Sequence, residues 1–413
     1  MGCLSMNIKK GMNMGGIKQK NRISILNILK GQGAMPRKDI AKQIQLTPAS
    51  VTIIVNKMIE EGIIKEMGEL EEDDKRAGRK KILIDINYDI KYVIGVSIDS
   101  KMCSIAVANI KGTVINSIST DVNKELQPEE ILIGIANQCI SLLWKENILK
   151  ENILGVGVGI MGPVDAKEGV SKHAYGLWKT EVNIKKILEK QLSIKVVVDN
   201  NVRALAIAEL DHEKLHNISN ILFIKYGPGI GSAIVLDREI YSGTHNLAAE
   251  IGHTIVEFKG VTCKCGKVGC LETIASSEAI IKKLSGIFSK ERTPILYKLC
   301  SGDILNLSTD NVMESSRKGD KEVIKIVSNA ANYMALGISN AITIFDPEKL
   351  VLYGEMFTNK IFMESFKIGL NKNLTCCNLK DLIHYSDLNS SPIYVGGVAL
   401  AIKEFFFKTG AMN

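Results

Sequence analysis

Three cysteines fall within eight residues of the chain, Cys263, Cys265 and Cys270 in "CKCGKVGC". Gly266 and Gly269 between them allow a turn tight enough for three thiolates to converge. His253 precedes them by ten residues, in "EIGH". Three Cys and one His make a closed tetrahedral set for Zn2+, and a site with no open position is structural rather than catalytic. Three thiolates around a divalent ion leave one negative charge, which Lys264 and Lys267 can ease. Reduced cysteines in an ordinary turn are the plainer reading. A base-reading zinc finger does not fit, because no second His pair and no basic helix follow.

The same knuckle ties Glu250 and His253 to Glu272. Carboxylates converging in a cleft suit the acceptance of hydrogen bonds from sugar hydroxyls; glutamates that cap helices or face solvent are the alternative. The turn Gly227-Pro228-Gly229-Ile230-Gly231 could present backbone N–H groups to an anion, although a plain β-turn explains it as well.

Elements of two kinds must position these residues. From Tyr92 onward, short β-branched runs such as "YVIGVSIDS", "ILGVGVGIMG", "IKVVVDNN", "ILFIKYGPGIG" and "KLVLYGEMF" alternate with helical stretches at Gln127–Leu143 and Glu322–Ile342. That alternation predicts α/β layers with helices covering the sheets. The strand–turn–strand at Tyr92–Val114 and the glycine turn at Gly227 fall at equivalent points of two halves.

The first eighty residues read differently. Ile23, Ile25, Leu26, Ile28 and Leu29 give one helix an apolar face, ended by Gly31 and Gly33. Arg37–Gln43 forms a second, with Ile40 and Ala41 inward. Thr47 is the expected N-cap of a third, with Pro48 at its first position. That helix turns Val51, Ile54, Val55, Met58 and Ile59 inward and stops at Gly62. A helix–turn–helix places its second helix in the major groove. Ala49, Ser50, Thr52, Ile53, Asn56 and Lys57 face outward for bases and phosphates. Two strands then flank a charged loop, whose Arg76, Arg79, Lys80 and Lys81 form a wing able to reach the DNA backbone. Between Ile17 and Lys81 there are 14 Lys/Arg against 9 Asp/Glu, so most of the chain's net +7 lies here. A protein-interaction module with solvated charges is the rival reading.

The bulk numbers agree. A chain of 413 residues, 46% hydrophobic, is long enough for two or three domains. Nine unevenly spaced cysteines make a poor disulfide framework. With no apolar leader and no apolar run of about 20 residues, a cytoplasmic protein with no membrane partner is expected. Cys103, Cys139 and Cys300 read as small buried hydrophobes, Cys376-Cys377 as incidental thiols or a redox pair. His212, His216 and His384 show no metal-ligand pattern.

"AAEIGHTIV", "CKCGKVGCLETIAS", "GIMGPVD", "VDNNVRALAIAEL" and "ITIFDPEKLVLYGE" resemble the ROK family of sugar kinases and sugar-responsive repressors over roughly residues 92–407. The resemblance implies an N-terminal winged helix-turn-helix followed by a two-lobed actin-like (ribonuclease H-like) domain. It divides the chain into a disordered arm (1–16), or a stretch upstream of the true start; a DNA-binding domain (17–88); lobe 1 (89–210 plus 394–413); and lobe 2 with the zinc site (211–393). It implies Zn2+ on His253, Cys263, Cys265 and Cys270, and a sugar meeting Asn200, Asn201, Glu250, His253 and Glu272 between the lobes. A homodimer or tetramer is expected.

Two departures separate this chain from the kinase branch. The kinases carry Asp where this sequence has Asn201, and an amide cannot take a hydroxyl proton, a role worth about 10²–10⁴-fold. Their phosphate loop, D-x-G-G-T, reads Ser97-Ile98-Asp99-Ser100-Lys101 here, and Asp99 repels a triphosphate. Pro228 replaces the usual Thr of the second loop, and "KHAYGLW" departs from the Asn-Leu element of the sugar pocket. The expectation is therefore no catalytic residue and no enzyme, but a transcriptional repressor. Its helix-turn-helix units, expected on DNA at Arg37, Pro48, Ala49, Ser50, Thr52, Asn56 and Lys57, leave operator DNA when sugar closes the cleft. Xylose comes first as effector from the nearest branch, with glucose and N-acetylglucosamine open. An active sugar kinase with a DNA-binding appendage and a regulator acting through protein contacts are the rivals.

Overall fold

The computed structural model describes residues 14–69, 81–211, 213–375 and 378–412. Arg76, Arg79 and Lys80 of the expected wing, the acidic run at 71–74, Cys3, His212 and Cys376-Cys377 lie outside them.

The N-terminal unit comprises α1 (Met14–Gln32), β1 (Met35–Pro36), α2 (Arg37–Gln43), α3 (Pro48–Glu60), β2 (Ile64–Glu69) and β3 (Ile82–Ile86), the strands ordered β1-β3-β2. Thr47 caps α3 by accepting the Ser50 N–H at 3.2 Å, with Pro48 at the first helical position. Val51, Val55 and Met58 lie one turn apart on its buried face, while Ile54 and Ile59 are only partly covered. Gly62, with φ +74°, releases the chain into β2.

Helix α1 differs from expectation at both ends. It starts at Met14, so residues 14–16 belong to it rather than to an arm. It also runs through Gly31, where a Cβ would lie 1.9 Å from His216 Nε2. Glycine there is needed for close approach to the larger domain, not as a stop.

That larger domain contains two sheets built to one plan. The first holds β4 (Tyr92–Ile98), β5 (Met102–Asn109), β6 (Val114–Asp121), β7 (Ile153–Ile160) and, after a small sheet of β8 (Val164–Asp165), β9 (Val170–Ser171) and β10 (Val182–Asn183), β11 (Val196–Asn200). The second holds β12 (Ile221–Tyr226), β13 (Ile230–Leu236), β14 (Glu239–Ile240), β15 (Lys349–Tyr353) and β16 (Ile383–Tyr385). Each has an antiparallel meander of three strands, β6-β5-β4 or β14-β13-β12, extended by two parallel strands, β7-β11 or β15-β16. This repeat is the two-lobed actin-like, ribonuclease H-like architecture. It places the β4–β5 turn at Asp99 and the β12–β13 turn at Gly227 at matching positions.

Helices α4 (Pro128–Lys145) and α5 (Ile184–Leu192) cover the first sheet. Helices α7 (Glu272–Ala275), α8 (Ser277–Ser285), α9 (Pro294–Leu299), α10 (Thr309–Arg317), α11 (Lys321–Phe345), α12 (Lys360–Asn373) and α13 (Leu379–Leu382) accompany the second. Between the sheets lies α6 (Asn201–Leu210), buried along most of its length. Strand β12 shows why: Leu222, Ile224 and Tyr226 face the core around α11, whereas Ile221 and Phe223 face Val202 and Leu205 of α6. Helix α14 (Val395–Ile402) then returns against β4, β7 and α6. Its approach is close enough that a Cβ on Gly157 would lie 2.1 Å from the Gly397 carbonyl.

The N-terminal unit shares its core with this domain. Leu26, Leu29, Val55 and Met58 belong to one continuous cluster with Val398, Ile402, Phe406 and Phe407. Burying side chains of this kind stabilises by about 1.5–3 kcal/mol each, so the junction is a packed interface rather than a linker. Among the described residues, no helix is long and apolar enough to cross a membrane.

Candidate functional site

The knuckle converges as its spacing predicts. Cys263 N–H bonds the Lys267 carbonyl at 2.7 Å and Gly266 N–H bonds the Cys263 carbonyl at 2.9 Å, closing a tight loop. Gly269 has φ +77°, and a Cβ there would meet the Glu257 carbonyl at 1.6 Å, so only glycine fits. Cys263 Sγ lies 3.5 Å from His253 Nδ1, and Cys265 Sγ lies 3.7 Å from Cys270 Sγ. All four donor atoms are within 4.8 Å of one another. A tetrahedral ion with 2.3 Å bonds to sulfur sets sulfurs about 3.8 Å apart, and sulfur about 3.6 Å from nitrogen. The four side chains are therefore already at ligand spacing. Burial pushes the Cys270 thiol up to about 12 and raises that of Cys263. At Cys265 burial acts the same way, but the Lys267 backbone N–H and the neighbouring cysteines outweigh it and hold the thiol lower.

Near the knuckle lie the side chains expected to line a cleft between the two sheets. Asn200 caps α6, its Oδ1 accepting Val202 N–H at 2.8 Å and Arg203 N–H at 3.4 Å, while its Nδ2 donates to the Gly162 carbonyl at 2.9 Å. Both ends of this amide thus hold the cleft wall in shape. Asn201 follows, half-buried, on the first turn of α6. Glu250 stands at the mouth, solvent-accessible yet flanked by enough protein that burial raises its carboxyl against the pull of His253 and Arg203.

Two residues of the cleft were not singled out from the sequence. Tyr175, from "KHAYGLW", packs edge-on against His173 with ring centres 4.3 Å apart and lies 6.5 Å from the His253 ring. Burial, then the Glu250 and Glu272 carboxylates, raise its phenol to about 12, so it stays a hydrogen-bond donor facing two acceptors. Arg203, 4% exposed, reaches across the cleft, donating to the Asn246 carbonyl at 2.6 Å and to Asp199 at 3.4 Å.

Three more charged side chains stand at the glycine turn and the ends of the central strands. Glu272 Oε2 accepts the Ile230 N–H at 3.0 Å, and a Cβ on Gly229 would lie 2.6 Å from that oxygen. The anion held by the glycine turn is therefore an internal carboxylate. Lys225 continues the β12 face that carries Ile221 and Phe223. Burial lowers its ammonium, with the Asp99 carboxylate acting against that. Asp99 ends β4, its carboxylate taking a 3.2 Å hydrogen bond from Ser100.

On the N-terminal unit, Pro48, Ala49, Ser50, Asn56 and Lys57 are exposed on α3, as is Ile53 at 72%. Thr52 turns its hydroxyl back to the Pro48 carbonyl at 2.8 Å, and Ser50 Oγ lies 2.8 Å from Thr47 Oγ1. Arg37, expected on DNA, has partners within the unit. Its guanidinium bonds Glu66 of β2 at 2.8 Å and approaches Asn56 at 3.5 Å, which makes it a brace between wing strand and recognition helix.

The ROK family profile matches residues 93–404. The chain belongs to the ROK family. A winged helix-turn-helix DNA-binding profile matches residues 18–65. This ROK protein is 24% identical over 390 residues to the xylose repressor of Caldicellulosiruptor bescii, covering 94% of this chain and 96% of that one. It is 26% identical over 365 residues to the DNA-binding transcriptional dual regulator NagC of Escherichia coli, covering 87% and 86%. Its fold superposes on a ROK family transcriptional regulator homologous to the E. coli MLC protein with TM-score 0.82 at 21% identity, over 96% of this chain and 98% of that one. A ROK family glucokinase from Streptomyces griseus matches with TM-score 0.65 at 22% identity, over 76% of this chain and 99% of that one.

Proposed function

We propose that this ROK protein is a sugar-responsive, DNA-binding transcriptional repressor and not an enzyme. The observation that carries the reading is a helix bonded at both ends of a path. In α1, Arg22 bonds Glu61, the C-cap of the recognition helix, at 2.6 Å. About two turns on, Lys30 bonds Asp211, the C-cap of α6, at 2.6 Å. Helix α6 opens at Asn200 and Asn201, so a movement at the cleft reaches the DNA-binding unit through packed elements alone.

The sugar meets Asn201, Glu250, His253, Glu272 and Tyr175, with Asn200 shaping the wall. Zn2+ on His253, Cys263, Cys265 and Cys270 holds Glu250 and Glu272 in place. When bound, the ion supplies a fixed charge and a cross-link, not a reaction. Asn201 lacks the carboxylate a sugar kinase needs, and Lys225, Asp99 and Glu272 occupy the phosphate end of the cleft. A homodimer places two α3 helices one DNA turn apart on a palindromic operator. Ala49, Ser50, Thr52, Ile53 and Asn56 read bases, while Lys57 and the wing's Arg76, Arg79 and Lys80 hold phosphate. The named relatives support xylose first as effector, then N-acetylglucosamine.

Coupling is reciprocal: a sugar that weakens DNA binding must bind operator-bound protein more weakly by the same factor, about 5–150-fold. Calorimetric titration of xylose, then of N-acetylglucosamine, into free and operator-bound protein tests this. Equal affinities for every sugar that binds would overturn the reading.

A further inference from the structure

A second group of metal-ligating side chains lies away from the knuckle. Glu209, near the end of α6, meets His384 and Asp387 at the edge of the second sheet, and one donor atom from each lies within 4.8 Å of the others. His384 shows no metal-ligand pattern in the sequence, because Glu209 lies far from it in the chain and joins it only in the fold.

The geometry is that of a coordination shell. His384 Nε2 lies 3.5 Å from Glu209 Oε1 and 3.5 Å from Asp387 Oδ2. Bonds of 2.0–2.2 Å at a tetrahedral ion set nitrogen and oxygen ligands about 3.3–3.6 Å apart. His384 Nε2 is buried and donates to no hydrogen-bond acceptor, an arrangement that is costly when left unsatisfied. An imidazolium ion-paired to either carboxylate would aim an N–H at it. A neutral imidazole bound through its lone pair to a cation needs no such bond.

The surroundings hold the ligands in the manner of an outer shell. The Glu209 side chain is 0% exposed, its Oε2 accepting the Ser386 hydroxyl at 2.5 Å and its Oε1 the Asp387 N–H at 3.1 Å. Lys214 Nζ bonds Asp387 Oδ1 at 2.6 Å, and Asp387 Oδ2 lies on the His384 side.

We propose that Glu209, His384 and Asp387 bind a divalent transition-metal ion, with a water completing the shell. One imidazole with two carboxylates suits Zn2+, Co2+ or Mn2+ and disfavours Mg2+ and Ca2+, which prefer oxygen ligands alone. The ion joins the end of α6 to the edge strand of the second sheet. It thereby fixes one end of the helix whose other end opens at Asn200.

The test is a Co2+ titration of the full chain, freed of metal and kept reduced. Equilibrium dialysis gives the stoichiometry, and absorbance separates the sites, since only cobalt at the cysteine knuckle shows thiolate charge transfer. The expected result is an additional equivalent without that band. It is lost in His384→Ala and Asp387→Asn, while the thiolate band stays at full intensity in both, which also shows that they fold. No equivalent beyond those bearing thiolate absorption, or an additional one that both variants keep, would overturn the proposal.

Discussion

Arg22 and Glu61 form an ion pair at 2.6 Å that joins the first helix of the DNA-binding unit to the cap of its recognition helix. The Arg22 side chain is 2% exposed, and it also donates to the carbonyls of Gly410 at 2.8 Å and Ala411 at 3.1 Å. One guanidinium therefore fastens the recognition helix to the end of the chain's sugar-sensing domain. A buried Arg with all its partners in place orients elements more than it stabilises them, but removing a partner is costly.

Glu61→Gln tests this junction without emptying it, because Gln keeps the shape and one acceptor. Sugar affinity should stay within about 2-fold, while the loss of operator affinity caused by sugar shrinks below about 5-fold, the low end of allosteric coupling. Arg22→Met should do the same and also cost about 3–5 kcal/mol of stability, since the acceptors lose their charge partner. Thermal melts and operator titrations with and without sugar check both.

The same pair sets a pH dependence. The Arg22 hydrogen bond holds the Glu61 carboxyl below the usual range of a free glutamate. A carboxyl depressed in the folded state contributes stability fully present above its unfolded value and lost as pH falls through the folded one. Wild type should therefore lose stability relative to Glu61→Gln only below about pH 4.5, with a constant difference between pH 6 and 8. Chemical denaturation across that range reads it.

Loss of the knuckle ion should disable sensing more than DNA binding. Chelation, or Cys270→Ser, should lower the melting temperature by roughly 5–15 °C and abolish sugar binding measured by calorimetry. Operator binding without sugar should survive, because the cluster that holds α3 contains none of the knuckle residues.

On α3, two substitutions should behave differently. Lys57→Ala should weaken binding to all sequences alike and reduce the salt slope by about 1. Asn56→Ala should cost about 1–3 kcal/mol on the operator and relax discrimination at one position. Anisotropy titrations at several salt concentrations, on operator and on scrambled DNA, separate the two.

Restoring the missing carboxylate should not make a kinase. Asn201→Asp supplies a base, but the Asp99 and Glu272 carboxylates beside the two turns still repel a triphosphate. A coupled ADP assay with sugar and Mg-ATP should stay at its no-sugar background, as for the wild type.

Local signals were readable where the chemistry is local. Thr47-Pro48 announced the start of α3, Gly62 its end, and the Cys263–Cys270 spacing announced the knuckle, because each depends on residues a few positions apart. The two-lobed repeat showed in matched strand–turn–strand patterns at Asp99 and Gly227. What stayed hidden was carried by side chains that meet only after folding. Arg22 meets Gly410, Lys30 meets Asp211, and Arg203 meets Asn246. No periodicity encodes such pairs. Arg37, expected on DNA, likewise meets Glu66 of β2 only in the fold.

The central claim is that sugar and operator compete through one chain. Fluorescence anisotropy on the promoter fragment upstream of the protein's own gene cluster, at fixed salt, measures it directly, first with xylose and then with a panel of sugars. The account predicts tight binding without sugar and, with one sugar, a loss of about 5–150-fold. Operator affinity unchanged by every sugar that calorimetry shows to bind, with the knuckle fully metallated, would contradict it.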